Sequence, residues 1–353
     1  MHEGMSVYIA GHAIGTDHPP LIVAEMSGNH NGSLERALSI VDTAAAAGAH
    51  ALKLQTYTAD TMTIDHDGDG FVITDTDSLW HGYSLYRLYE EAHTPWEWHE
   101  ELFARCRERG IVCFSTPFDA TAVDFLEGLD CPAYKIASFE NVDLPLIRKT
   151  AATGKPVVMS TGMATVDELE EAVQVARDAG CRDLVLLKCT SSYPADPSDS
   201  DLRTIPDLAR RFDCLAGLSD HTLGIGAACA SVAFGAAMIE KHFTLSRTDG
   251  GVDVAFSLEP DELRVLVEET GRAWRALGTV SYKRSAAEER SLAFRRSLYV
   301  VKDIRVGEQF SESNVRAIRP GYGLAPKYLD AVLGKRATQD VMRGTPLSWD
   351  LLD

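Results

Sequence analysis

Two histidines carry the clearest chemical signal in this chain. His221 and His242 each follow a short apolar run, 214–218 and 236–239, so each stands where a buried β-strand would end. Two imidazoles at such ends can converge on one divalent metal. Taken singly, either reads as a hydrogen-bonded structural residue; the balance shifts because other strand-like runs in the chain also end in polar groups. Lys53, Thr116, Lys135, Ser138, Ser160 and Ser219 lie at or just past such runs. Together they offer the cations and hydroxyl donors that hold a phosphate or a carboxylate. Glu25 closes the first run, where a carboxylate can activate water or manage a proton; its competing role is a salt bridge to Lys53. Asp253, at the end of Asp249-Gly250-Gly251-Val252-Asp253, could orient a substrate hydroxyl or support a metal ligand, although Asp-Gly stretches usually form turns.

These residues need elements to bring them together. Strand-like runs recur at 21–26, 51–54, 111–114, 134–137, 157–159, 184–187, 214–218 and 236–239, with helical patterns between them. Apolar residues between 34 and 45 keep helical spacing, and Gly48 supplies a stop. Thr165 and Glu168 have capping-box spacing, predicting a helix over 165–179 closed by Gly180. Eight strand–helix units over about 250 residues predict a (β/α)8 TIM barrel, with its active site where the strands terminate. A flavodoxin-like open sheet is the alternative, but it would place polar residues at only a few switch-point strands. The connection over 57–96 far exceeds the usual 2 to 6 or so residues. It holds Trp80, Tyr83, Tyr86 and Tyr89 and leads into Trp96 and Trp98. It is either a lid that touches substrate or a patch that packs on the barrel or on a second subunit.

Composition narrows the class. The 353 residues are 45% hydrophobic and 24% charged, as in a soluble globular protein. No apolar run approaches the roughly 20 residues needed to span a bilayer, and a cytoplasmic protein is expected. The net charge of −18 argues against nucleic acid as a partner. Seven cysteines without a CxxC pair suit buried thiols in a reducing compartment. Charge is unevenly spread: residues 283–353 hold 13 Lys and Arg against 9 Asp and Glu, so the acidic excess lies in 1–282. The strand–helix rhythm stops there too, which predicts a barrel over 1–282 and a linker helix plus a small, mostly β domain over 283–353.

The runs IVAEMSGNHNG, ALKLQTYTADTMT, CFSTPFD, YKIASFE, STGMAT, LKCTSSYP, GLSDHTLGIG and EKHFTLSRTDGGVD resemble those of the sialic acid synthase family. With its long insert and the runs EMSGNHN, DTMT, HTPWEW and KCTSSYP, the chain most resembles the pseudaminic-acid-forming branch of that family. The tail around Ile318-Arg319-Pro320-Gly321 resembles the antifreeze-like (SAF) domain that ends these proteins.

That resemblance implies an activity. Phosphoenolpyruvate would condense with the open-chain aldehyde of an N-acetylated amino sugar, water would attack the enolpyruvyl carbon, and phosphate would leave by C–O cleavage. By the same resemblance His221 and His242 bind Mn2+ or Mg2+, and Lys53, Thr116, Lys135, Ser138, Ser160 and Ser219 bind phosphoenolpyruvate. Glu25 becomes the acid/base, Gln55, Tyr193 and Asp253 meet the sugar, and Arg319 reaches the barrel mouth of a partner in a domain-swapped homodimer. The chain departs from the N-acetylneuraminate-forming members at Lys188 and at Ser191-Ser192, where those carry a histidine and an Asn-Glu pair. Ser191 then offers a shorter contact to phosphate or sugar, which favours 2,4-diacetamido-2,4,6-trideoxy-altrose as acceptor. Synthesis of N-acetylneuraminate or legionaminate is the alternative within the family; a sugar-binding protein without catalysis is the alternative outside it.

Overall fold

The computed structural model describes residues 5–353. An antiparallel hairpin, β1 (Val7–Ile9) and β2 (His12–Ile14), precedes the barrel. Its Val7, Ile9 and Ile14 join the barrel core, and the Trp274 indole N–H donates to the Thr16 carbonyl at 3.1 Å. Eight parallel strands then close on themselves: β3 (Leu21–Glu25), β4 (Ala51–Thr56), β5 (Val112–Pro117), β6 (Tyr134–Ile136), β7 (Val157–Ser160), β8 (Leu184–Cys189), β9 (Leu215–Ser219) and β10 (Met238–His242). Closure is made by β10 against β3, in a register that sets His242 beside Glu25 and Met238 beside Leu21. The open-sheet alternative is therefore excluded.

The helices form where side chains satisfy their free ends. Ser33 caps Leu34–Ala46, and Gly48 turns the chain out at φ 90°. Thr165 and Glu168 form the expected capping box on Val166–Asp178, and Gly180 follows at φ 102°. Several strands outlast their apolar runs, so Gln55, Thr116, Lys188 and His242 are paired in the ladder rather than beyond it. Backbone pairing is indifferent to side-chain polarity, and apolar composition alone therefore ends such strands too early.

The division into two compact units falls between Gly278 and Thr279. The second unit pairs β11 (Ser297–Val300) with β12 (Val315–Ile318) after a short helix, Ala286–Ser291. It has its own core, built on Leu298, Val300, Ile304, Phe310, Val332 and Leu347. All seven cysteines are free, and no helix among the described residues is long and apolar enough to cross a membrane.

Candidate active site

Side chains alternate along a strand, so β10 sends Glu240 and His242 to one face and Lys241 to the other. Glu240 is the hub of the cavity floor. Its Oε1 accepts from Lys53 Nζ at 2.9 Å, Lys135 Nζ at 3.1 Å and Ser219 Oγ at 3.1 Å. Glu25 Oε1 lies 3.0 Å from Lys53 Nζ and accepts from Gln55 Nε2 at 2.9 Å. These four charged residues are all 4% exposed or less.

The charges are not evenly satisfied. Burial works against the Lys53 ammonium, but Glu240 and Glu25 together outweigh it and hold its pKa above the usual lysine value. Lys135 shares Glu240 with that neighbouring cation, and burial pulls its pKa down. It is the cation short of countercharge, as an anion site requires. Burial also opposes charge on Glu25, yet His242, Lys53 and Lys135 hold its carboxyl well below the ordinary range, so it stands as a carboxylate. Glu140 differs: burial pushes it up to about 7, against the opposing pull of Lys135, and its Oε2 is buried without a partner.

The imidazoles of His221 and His242 face each other across the same cavity, with ring centroids 5.4 Å apart. His221 Nδ1 lies 2.9 Å from the Thr190 carbonyl, which can only accept, so in the neutral ring the proton sits there and Nε2 is free for a metal. Burial opposes charge on this ring, but Cys189, the Thr190 carbonyl and Glu25 outweigh it and raise its pKa, so a metal at Nε2 competes with a proton. His242 Nε2 lies 3.3 Å from Glu25 Oε2, and its Nδ1 is buried without a hydrogen-bond partner, 4.0 Å from Asp253 Oδ2. Asp253 is held in turn by the Ser27 hydroxyl. Burial lowers the pKa of His242 and favours the neutral ring that a metal needs. Tyr193 packs on His221 and Phe256 on His242, at 4.4 and 4.8 Å between centroids.

This donor set suits a divalent cation held by two imidazoles, with other ligands supplied by water or substrate. Among the described residues no three His, Cys, Asp or Glu side chains are grouped so as to hold a metal ion by themselves.

The cavity measures about 360 Å3 and gathers most of the residues singled out from sequence: Glu25, Lys53, Gln55, Lys135, Ser138, Ser160, Tyr193, Ser219, His221, His242 and Asp253. Thr116 and Ser191 do not line it directly. Ser115 bonds outward to Thr56, so Thr116, next on β5, points inward, with its hydroxyl buried and unpartnered. Ser191 lies behind Gly162, where a Cβ would come within 2.2 Å of Ser191 Oγ and 2.6 Å of Ser138 Oγ. Only glycine lets that backbone approach both hydroxyls. Arg319 lies in the second unit, directly after β12.

Two carboxylates escaped the sequence reading. Glu240 stands two positions before His242 and thus on the same strand face, a signal that was legible. Glu140 follows Ser138 within a 3-10 turn, Ser138–Glu140, which no periodicity announces. The insert over 57–96 resolves as a cavity wall: Met62, Ile73, Trp80, Leu85, Leu88 and Tyr89 face inward. Trp80 donates to the Val252 carbonyl at 2.8 Å and lies against Tyr193. Trp96 and Trp98 are packing residues instead, stacked on Phe125 and set edge-on to His30.

Residues 40–282 match the model of the NeuB family, and residues 295–353 match that of the SAF domain. The chain belongs to the NeuB family. Members similar to it include the pseudaminic acid synthase of Campylobacter jejuni, 44% identical over 94% of this chain and 96% of that one. The pseudaminic acid synthase of Helicobacter pylori is 43% identical over 94% of this chain and 97% of its own length. Among solved NeuB-type folds, the N-acetylneuraminic acid synthetase of Leptospira borgpetersenii superposes with a TM-score of 0.73 at 32% identity, covering 82% of this chain and 95% of that one.

Proposed function

We propose that this chain is a pseudaminic acid synthase, which condenses phosphoenolpyruvate with open-chain 2,4-diacetamido-2,4,6-trideoxy-altrose and water to give pseudaminic acid and phosphate. The observation that carries the reading is the meeting, in one cavity, of two buried lysines, of which Lys135 is short of countercharge, with two neighbouring imidazoles. Lys53 and Lys135, with the Ser138, Ser160 and Ser219 hydroxyls, hold the phosphate and carboxylate. With phosphoenolpyruvate held there, its nucleophilic C3 would face the histidine side, where the aldehyde is presented. A divalent ion, Mn2+ or Mg2+, held by His221 and His242 would polarise the aldehyde oxygen as a Lewis acid. Water then attacks C2 and phosphate leaves by C–O cleavage; Glu25 is the carboxylate at hand for that water's proton, a weak base while His242, Lys53 and Lys135 hold its pKa low. Gln55, Tyr193 and Asp253 are placed to meet the sugar.

The apolar lid residues favour an acceptor that ends in methyl groups over one that ends in hydroxyls. Exposed Phe139, Val142, Met163 and Leu223, on loops that follow β6, β7 and β9, support a homodimer in which the second unit of a partner covers the barrel mouth and offers its Arg319. The deciding experiment is the mass of the product formed from phosphoenolpyruvate and each candidate sugar. Turnover of the diacetamido-altrose sugar supports the proposal; turnover of N-acetylmannosamine alone transfers the chain to the neuraminate-forming branch. Inertness of metal-loaded protein toward every N-acyl sugar overturns catalysis itself. Light scattering on the purified protein reads the dimer.

A further inference from the structure

The two cavity histidines are each preceded by a charged residue, and those two residues bond to one another on the outer face of the sheet. Lys241 precedes His242 and Asp220 precedes His221. Lys241 Nζ lies 2.8 Å from Asp220 Oδ2 and 2.7 Å from the Thr222 carbonyl. The other carboxylate oxygen, Asp220 Oδ1, accepts the Thr222 backbone N–H at 2.9 Å. Both side chains are 2% exposed or less.

Backbone bonds hold the His221 segment, and the ion pair adds side-chain contacts on either side of it. The β9–β10 register ends with Ser219 beside Glu240; beyond it the Asp220 N–H donates to the Glu240 carbonyl at 2.9 Å and the His221 carbonyl accepts from the Ala195 N–H at 3.0 Å, whereas His242 is the last residue of its strand. The ion pair grips the chain on both sides of His221, through the Asp220 carboxylate before it and the Thr222 peptide after it. Its anchor is the residue adjacent to the other imidazole. Burying two charges confers little stability over an apolar pair of the same size, because desolvation offsets the Coulombic gain. What it confers is direction: an ammonium with two acceptors at fixed places.

We propose that Asp220 and Lys241 are positioning residues that set the spacing of the His221 and His242 imidazoles and thereby the affinity for the divalent cation. This rests on the metal reading above. Supporting groups behind metal-binding histidines commonly change affinity by about 10- to 100-fold.

The test is Mn2+ binding to metal-stripped protein, followed by calorimetry, for the parent, Lys241→Met, Asp220→Asn and the double variant Asp220→Leu/Lys241→Met. The double variant leaves no lone buried charge, so it separates positioning from stability. The expected result is a double variant that unfolds cooperatively near the parent's temperature yet binds Mn2+ at least about tenfold more weakly. Parental Mn2+ affinity in the folded double variant overturns the proposal. Failure of the double variant to fold also overturns it, because the pair would then support the barrel rather than the site. Absence of Mn2+ binding by the parent overturns the metal reading instead, and is seen before any variant is compared.

Discussion

Lys53 and Glu240 form an ion pair of 2.9 Å at the floor of the cavity, and neither is more than 2% exposed. Because Glu240 also serves Lys135, its loss leaves two buried ammonium groups with Glu25 as their remaining carboxylate. Glu240→Gln is expected to cost about 3–5 kcal/mol of stability, the usual penalty for breaking a buried pair. An added anion replaces the missing charge, so millimolar phosphoenolpyruvate or phosphate should raise the melting temperature of this variant more than that of the parent. Thermal unfolding with and without the anion checks both statements; equal shifts for the two proteins would count against an anion site on these lysines.

His242→Ala removes one of the two facing imidazoles without touching the lysine pair. The turnover number should fall by about 10³-fold or more, equivalent to roughly 4 kcal/mol of lost transition-state stabilisation. Phosphoenolpyruvate should still protect the variant against heat. Chelation of the parent should reproduce the loss and added Mn2+ should reverse it; a chelated protein that keeps full activity would remove the metal from the scheme.

Trp80 reaches from the lid to the Val252 carbonyl and packs against Tyr193. Trp80→Ala should therefore raise the KM for the sugar about tenfold, the worth of an aromatic contact together with a hydrogen bond. The KM for phosphoenolpyruvate should stay near the parental value. Steady-state kinetics with each substrate varied in turn separates this from a general loosening of the barrel, which would raise both.

His30 and His99 fix the two ends of the lid's return to the barrel. His30 faces the Thr94 hydroxyl at 3.4 Å and His99 faces the Thr56 hydroxyl at 2.8 Å, both with no exposure to solvent. Burial lowers each from 6.5 to about 4. A depressed histidine binds its proton more readily unfolded than folded, so this contribution is complete above pH 6.5 and is lost as the pH falls toward 4. Each is worth about 3 kcal/mol at most over that window. Glu140, raised to about 7, works the other way: its contribution is complete below pH 4.5 and is lost as the pH rises through 7. Denaturant midpoints between pH 4 and 8 should show the acid limb flatten in His99→Gln and the neutral limb flatten in Glu140→Gln.

Much of this protein was legible one residue at a time. Alternation of apolar runs with capped helices, such as the Thr165–Glu168 box, fixes a parallel αβ order because strand and helix periods differ. A polar residue closing a buried run, as Glu25, Ser160, Ser219 and His242 do, points to a rim with work to do. Other features were decided by closure of the barrel. Lys53, Lys135 and Glu240 lie on three strands, and only the curvature and stagger of the cylinder bring their side chains to one oxygen atom. The same closure sorts Trp80 from Trp96, identical in type but facing cavity and packing respectively, and turns Thr116 inward behind the pocket wall. Sequence spacing records which face of a strand or helix a side chain takes; which distant faces then meet is set by how eight strands tilt against one another, and no local pattern encodes that.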